Sequence, residues 1–119
     1  MADVRRAVGN SGEDAVAAWY VAAGYEVLDR NWRIRAGEID LVSRQGGTVV
    51  FCEVKTRRSD RFGLPTEAVD GRKQRRLRGL AVAWLDAHDV TAARLRFDVA
   101  AVTPHRHTGW DVDVFEDAF

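Results

Sequence analysis

The chain has one cysteine, Cys52, two prolines and two lysines in 119 residues, and its longest unbroken apolar run, Ala15 to Ala23, is nine residues. Each scarcity excludes something. A lone cysteine forms no internal disulfide, which fits a cytosolic protein. Nine apolar residues fall well short of the roughly 20 that span a bilayer, so no membrane role is expected. The opening Met-Ala-Asp-Val-Arg-Arg leads into Gly9 and Asn10 rather than an apolar stretch, so no secretory signal is read and a cytoplasmic location is expected. Few prolines beside four Trp and five Phe exclude disorder and a collagen-like repeat. No Gly-rich phosphate loop and no Ser-His-Asp arrangement is present. At 46% apolar and 30% charged, the length suits one globular domain over residues 1–119. Such a domain buries roughly two-thirds of the surface of its unfolded chain.

The formal net charge is zero, yet the charges are unevenly spread. Between Lys55 and Arg78 stand nine bases against Asp60, Glu67 and Asp70, whereas the last eleven residues, about 109–119, carry four acids and no base. A basic middle points to a polyanion, and a solvated helix face would carry the same charges. Of the 18 basic residues 16 are Arg, so Lys55 and Lys73 stand out as places that a wide guanidinium fork does not suit.

Apolar periodicity predicts a helix over Gly12–Ala23, capped by Asn10 or Ser11 and stopped by Gly24. A strand interrupted by Asn31 is expected over Tyr25–Ile34, then Ile39–Ser43 and Val49–Lys55 as a hairpin about Gly46-Gly47. A polar loop with Gly63 and Pro65 precedes a helix over Asp70–Ala87, whose Leu77, Leu80, Ala81, Trp84 and Leu85 form one stripe. A strand over Leu95–Thr103 should end at Pro104, and Trp110–Phe115 adds a short last one. The order αβββαβ(β) argues for an α/β fold, a mixed sheet flanked by helices.

A two-residue turn at Gly46-Gly47 places Asp40 opposite Glu53 and Glu38 opposite Lys55. Directly opposed residues share a face with Cβ atoms about 5 Å apart, and side-chain alternation adds Lys55 to the face of Glu53. Opposed carboxylates destabilise a sheet unless one is protonated, water reaches them, or a cation lies between. Oxygen ligands so arranged suit Mg²⁺ or Mn²⁺, and a lysine beside them can orient water or stabilise charge at phosphorus. An exposed sheet face in which Lys55 pairs with Glu38 and Glu53 would use the same residues.

Asp40, twelve residues and then Glu53-Val54-Lys55 match the D…ExK pattern of the PD-(D/E)xK nuclease superfamily. With Gly37-Glu38-Ile39-Asp40-Leu41-Val42 before it and Phe51-Cys52-Glu53-Val54-Lys55 in the hairpin, the chain resembles the YraN family of bacterial proteins, itself similar to archaeal Holliday junction resolvases. The resemblance runs from Gly9 through Arg96-Phe97-Asp98-Val99. It implies a restriction-endonuclease-like core. Asp40 and Glu53 would be metal carboxylates, with the Val54 carbonyl a third ligand, and Lys55 the lysine that positions the attacking water. It implies further that Glu13 on the first helix completes the acidic cluster and that Lys73 matches a basic position. Glu13 would equally complete a capping box with Asn10, and Lys73 would equally be one more member of a basic helix face.

Arg57, Arg58, Arg72, Lys73, Arg75 and Arg76 are the expected nucleic-acid contacts. Asp98 reads as a structural ion pair with Arg94 or Arg96, Cys52 as a small buried hydrophobe, and His105 and His107 as a surface loop. The resulting expectation is a divalent-metal-dependent endonuclease acting on DNA ahead of RNA, including branched or damaged DNA, and working as a homodimer. A non-catalytic nucleic-acid-binding or adaptor module on the same fold is the alternative, and a hydrolase of small phosphodiesters a third.

Overall fold

In the computed structural model, which describes residues 11–57, 69–105 and 109–119, the chain runs α1 (Ser11–Ala22), β1 (Glu26–Ile34), β2 (Gly37–Gln45), β3 (Thr48–Thr56), α2 (Gly71–His88), β4 (Arg94–His105) and β5 (Gly109–Phe115). The strands form one sheet in sequential order, with β3 and β4 parallel and every other pair antiparallel. Parallel neighbours cannot be joined by a hairpin, and α2 lies on the crossover between them. This is the expected α/β arrangement of a restriction-endonuclease-like core, with β5 added at one edge.

Alternation along the strands sorts the core into two layers. Val49, Phe51, Phe97 and Val99 pack against Leu77, Leu80, Ala81 and Trp84 of α2. Val50, Cys52, Ala100 and Val102 pack against Val16 and Tyr20 of α1. Asp70 caps α2 by accepting the Lys73 N–H at 3.0 Å, and Asp89 ends it in the left-handed region at φ 51°. Of the two hairpin glycines only Gly46 takes a positive φ, +58°. Gly47 is needed for room instead, since a Cβ there would lie 3.0 Å from the Ala93 side chain.

One expectation needs correction. Strand β4 does not stop at Pro104 but runs on to His105, pairing Pro104 with Trp110. Its last contact with β3 is Val102, so beyond that point it has β5 alone as neighbour, the edge setting in which a strand accommodates proline. The acidic tail forms the short last strand expected over Trp110–Phe115 and then packs back on the sheet. Its first part is β5, after which the Asp117 N–H donates to Asp98 and Phe119 stacks on Phe97 with ring centroids 5.3 Å apart. The loop with Gly63 and Pro65, together with Asn10, Arg58 and His107, lies outside the described residues.

Asp98, wholly buried, holds that end of the sheet together. Its carboxylate accepts two bonds from Arg96 at 2.9 Å, one from the Tyr20 hydroxyl and one from the Asp117 N–H. Arg94 turns instead to Asp117, so of the two expected partners Arg96 is the one used. A buried charge this well satisfied is costly to strip of its partner. Asp98→Ala should destabilise the protein by about 3–5 kcal/mol, read as a lower urea midpoint at unchanged slope. A loss below about 1 kcal/mol would contradict this account.

Candidate active site

The β2–β3 ladder follows the expected register from Gln45↔Thr48 to Leu41↔Cys52 and then ends. The residue at which it ends explains why. Ile39 packs in the α2 layer and Leu41 in the α1 layer, although a regular pleat puts residues two apart on one face. Strand β2 therefore turns over at Asp40. Strand β1 turns over beside it: Trp32 packs in the α2 layer, whereas Arg30 reaches Asp14 of α1. Between those two residues, across from Asp40, Asn31 adopts φ +53°, a region that asparagine tolerates better than most residues. The turnover releases Asp40 from the ladder. Its Oδ2 instead accepts the Val54 N–H at 2.8 Å, bridging the gap between β2 and β3.

The expected direct opposition of Asp40 to Glu53 and of Glu38 to Lys55 is thus replaced by a tighter arrangement. Asp40 is only 9% exposed, and its carboxyl is pushed up to about 7, first by burial and next by the charge of Glu53. The Val54 N–H opposes the shift, and Glu13 and Glu38 add to it. Glu13 comes from the other side of the sheet. Gly12 before it sits so close to β4 that a Cβ would meet a Val102 methyl at 3.1 Å, and this approach seats the start of α1 by the C-terminal ends of β3 and β4. Glu13 Oε2 is buried and has no hydrogen-bond partner among the described residues.

Lys55 lies 3.2 Å from the Glu53 carboxylate. Burial works against charge on Lys55, but its hydrogen bond with Lys73 and the field of Glu53 outweigh it and raise its pKa. The same bond, with the charge of Lys55, lowers the pKa of Lys73. The only two lysines of the sequence, 18 residues apart in the chain, therefore meet over one carboxylate.

Glu53 and Lys73 line a cleft of about 210 Å³ with Gly37, Glu38, Arg76 and Leu80. Arg72 and Arg75 are exposed on the same helix, and Arg57 follows the end of β3. The arrangement thus collects Asp40, Glu53, Lys55, Lys73, Arg76 and Glu13, whereas Arg57, Arg72 and Arg75 are not among the residues that line the cleft. Cys52 faces the other layer, where burial pushes its thiol pKa up and leaves it a small hydrophobe. Two residues take parts that the sequence did not foretell. Glu38, expected as a partner of Lys55, pairs instead with Arg33 at 2.7 Å and contributes to the acidic field, and its place in the Gly-Glu-Ile-Asp string was the available signal. Asn31 showed in the sequence only as an interruption of the Tyr25–Ile34 pattern, with nothing to tie it to Asp40.

Among the described residues no three His, Cys, Asp or Glu side chains form a ready metal cage. What could hold a cation here is a pair of carboxylates, Asp40 and Glu53, supplemented by main-chain oxygen and water, a donor set of the kind Mg²⁺ uses.

Comparison with known proteins locates this site in a family. The profile of the uncharacterised protein family UPF0102 matches residues 12–102, which include every residue of the cluster. A UPF0102 protein of Frankia casuarinae is 52% identical over 97 residues, 82% of either chain. One from Rhodococcus opacus is 46% identical over 113 residues, covering 95% of this chain and 96% of the relative. One from Moorella thermoacetica is 49% identical over 102 residues, 86% and 85% of the two chains. The chain belongs to the UPF0102, or YraN, family.

The raised Asp40 pKa makes a signed prediction. A carboxyl that holds its proton more tightly folded than unfolded contributes stability below its ordinary value of 3.8, and this is lost as pH rises through about 7. Asp40→Asn keeps an acceptor for the Val54 N–H without the charge. In chelator-treated buffer it should be more stable than wild type at pH 8 by on the order of 2 kcal/mol, the gain vanishing near pH 4. Thermal melts across that range test it, and a variant less stable at pH 8 would refute it.

Proposed function

We propose that this UPF0102 protein is a divalent-metal-dependent endonuclease that hydrolyses phosphodiester bonds in DNA, including branched, Holliday-junction-like or damaged DNA. The observation that carries the reading is the turnover of β2 at Asp40. It seats a buried carboxylate beside Glu53 and Lys55 at the end of β3, where the D…ExK pattern needs them. Burying mutually repelling acids costs stability unless something cationic repays it. The unpartnered Glu13 Oε2 lies in the same acidic field.

Asp40, Glu53 and the Val54 carbonyl would hold Mg²⁺ or Mn²⁺, which when bound would supply positive charge at the phosphate and acidify water. The ammonium of Lys55, held protonated beside Glu53, orients the attacking water and faces the charge that develops at phosphorus. Lys73 and Arg76 reach into the cleft and bind the flanking phosphates, and Arg57, Arg72 and Arg75 extend that contact along the backbone. Glu13 closes the acidic cluster from α1. Cleaving a four-way junction symmetrically takes two such sites, so a homodimer goes with that substrate.

A non-catalytic nucleic-acid-binding or adaptor module is the second reading. It is favoured by the absence of a three-ligand cage among the described residues and by Lys55 being already engaged with Glu53 and Lys73.

Two measurements separate the readings. Calorimetric titration should give saturable Mn²⁺ binding that disappears in the Asp40→Asn, Glu53→Gln double variant. On linear, nicked and four-way DNA, Lys55→Ala should lose at least about 100-fold in cleavage rate while binding within about twofold of wild type. Salt-sensitive DNA binding by wild type with no Mg²⁺- or Mn²⁺-dependent cleavage of any of these DNAs would overturn the nuclease reading in favour of the adaptor.

A further inference from the structure

The tip of the β1–β2 hairpin stands next to the cleft and has a composition that the site described above leaves unused. Arg33, Ile34, Arg35 and Ala36 are all exposed. Ile34 is one of three large apolar side chains exposed among the described residues, with Val21 and Val82, and of these it alone lines a hollow that shares residues with the cleft.

Its exposure has a cause. Ile34 pairs with Gly37, which has no side chain to lay across it. Gly37 in turn is held to glycine by φ +151° and by α2, because a Cβ there would lie 3.1 Å from Leu80 and 3.5 Å from Arg76. The glycine that lets α2 close over the hairpin therefore uncovers an isoleucine beside it. Arg33, Ile34, Gly37 and Glu38 line a second, shallow hollow of about 220 Å³ beside the Glu53–Lys73 cleft, with which it shares Gly37 and Glu38. One side chain of that hollow is a guanidinium already set in place. Arg33 is 77% exposed, and its Nε and Nη2 both donate to Glu38 Oε2, at 3.2 and 2.7 Å. Arg76 lines the neighbouring cleft, and Arg35 is exposed at the turn.

We propose that this hollow is a seat for one unstacked nucleobase, resting on Ile34 and against the plane of Arg33. It makes DNA with an unpaired or displaced base next to the target phosphate the preferred substrate. The inference rests on the nuclease reading for the phosphate chemistry, but the base seat itself is a binding property. Proteins hold single bases that have left the stack on guanidinium planes and between aromatic or apolar side chains. A fully paired duplex cannot offer a base without the cost of unstacking, whereas a bulge or a branch point already has. The surrounding arginines match the phosphates on either side of such a base.

The test uses the full chain in chelator-containing buffer, so that binding is read without turnover. The probes are DNA duplexes with 2-aminopurine in a single-base bulge, at the branch of a four-way junction, or fully paired. Wild type should bind the bulged and branched probes about tenfold more tightly than the paired one and brighten their 2-aminopurine. Ile34→Ser should lose the brightening and bind all three alike. Ile34→Leu should retain both properties, and Val21→Ser, on the opposite layer, should behave as wild type. Circular dichroism and melting checks show that each variant is folded, and Arg35→Ala supplies a second substitution at the exposed turn. It should weaken binding to every probe modestly and leave the brightening.

Brightening that survives Ile34→Ser, equal weakening of all probes by that variant, or no preference in wild type would each overturn the base seat. Adding Mg²⁺ or Mn²⁺ then keeps the two readings apart. A wild type that brightens the bulged probe but never cuts it retains the base seat and loses the nuclease. One that cuts paired and bulged DNA alike, with or without Ile34, retains the nuclease and loses the base seat.

Discussion

One hydrogen bond, from the Val54 N–H to the Asp40 carboxylate, sets the geometry of the whole site. The β2–β3 ladder would otherwise continue and leave Asp40 in regular cross-strand register with Glu53. Because β1 and β2 both turn over at this level, Asp40 leaves the ladder and its side chain takes the place of a strand bond. The sheet keeps its backbone partner, and the price is a carboxylate buried beside Glu53 with its pKa raised towards neutrality. Groups from both layers act on that charge, Glu13 by adding to the repulsion. Gly12 brings the start of α1 and Glu13 close from one layer, and the start of α2 brings Lys73 from the other.

The two lysines show why residue type matters at such a place. An ammonium is compact, so Lys55 and Lys73 can approach each other over Glu53. Two guanidiniums, always charged and wider, would crowd and repel each other there. A chain that uses arginine for 16 of its 18 bases keeps its only lysines for this contact. At the other end of β4 arginine is the better choice. Arg96 grips both carboxylate oxygens of Asp98 with its fork, and Tyr20 and the Asp117 N–H complete the set. The acidic C-terminal residues are drawn into that network and into a stack on Phe97, so a local excess of negative charge serves packing.

Much of this was legible in advance where short-range rules apply. Helical periodicity located both helices to within a residue or so, because Val16 and Tyr20, and Leu77, Leu80, Ala81 and Trp84, had to fall on single faces. The Gly-Gly turn fixed the hairpin register as far as Leu41↔Cys52, since a two-residue loop leaves no slack. The Pro104 boundary was misplaced because the penalty for proline depends on whether a strand has one neighbour or two, and that is not a local property.

Sequence by itself determined the α/β element order, the identity of Asp40, Glu53 and Lys55 as neighbours, and the oddity of the two lysines. All of these follow from spacing along the chain and from the chemistry of side chains. Tertiary structure alone decided that Asp40 leaves the ladder, that Asn31 across from it must take a left-handed conformation, and that Glu38 turns to Arg33 rather than Lys55. It also decided that a glycine demanded by α2 uncovers Ile34. Each of these is a compromise among three or more elements competing for the same space, and no pattern confined to one element records which of them yields.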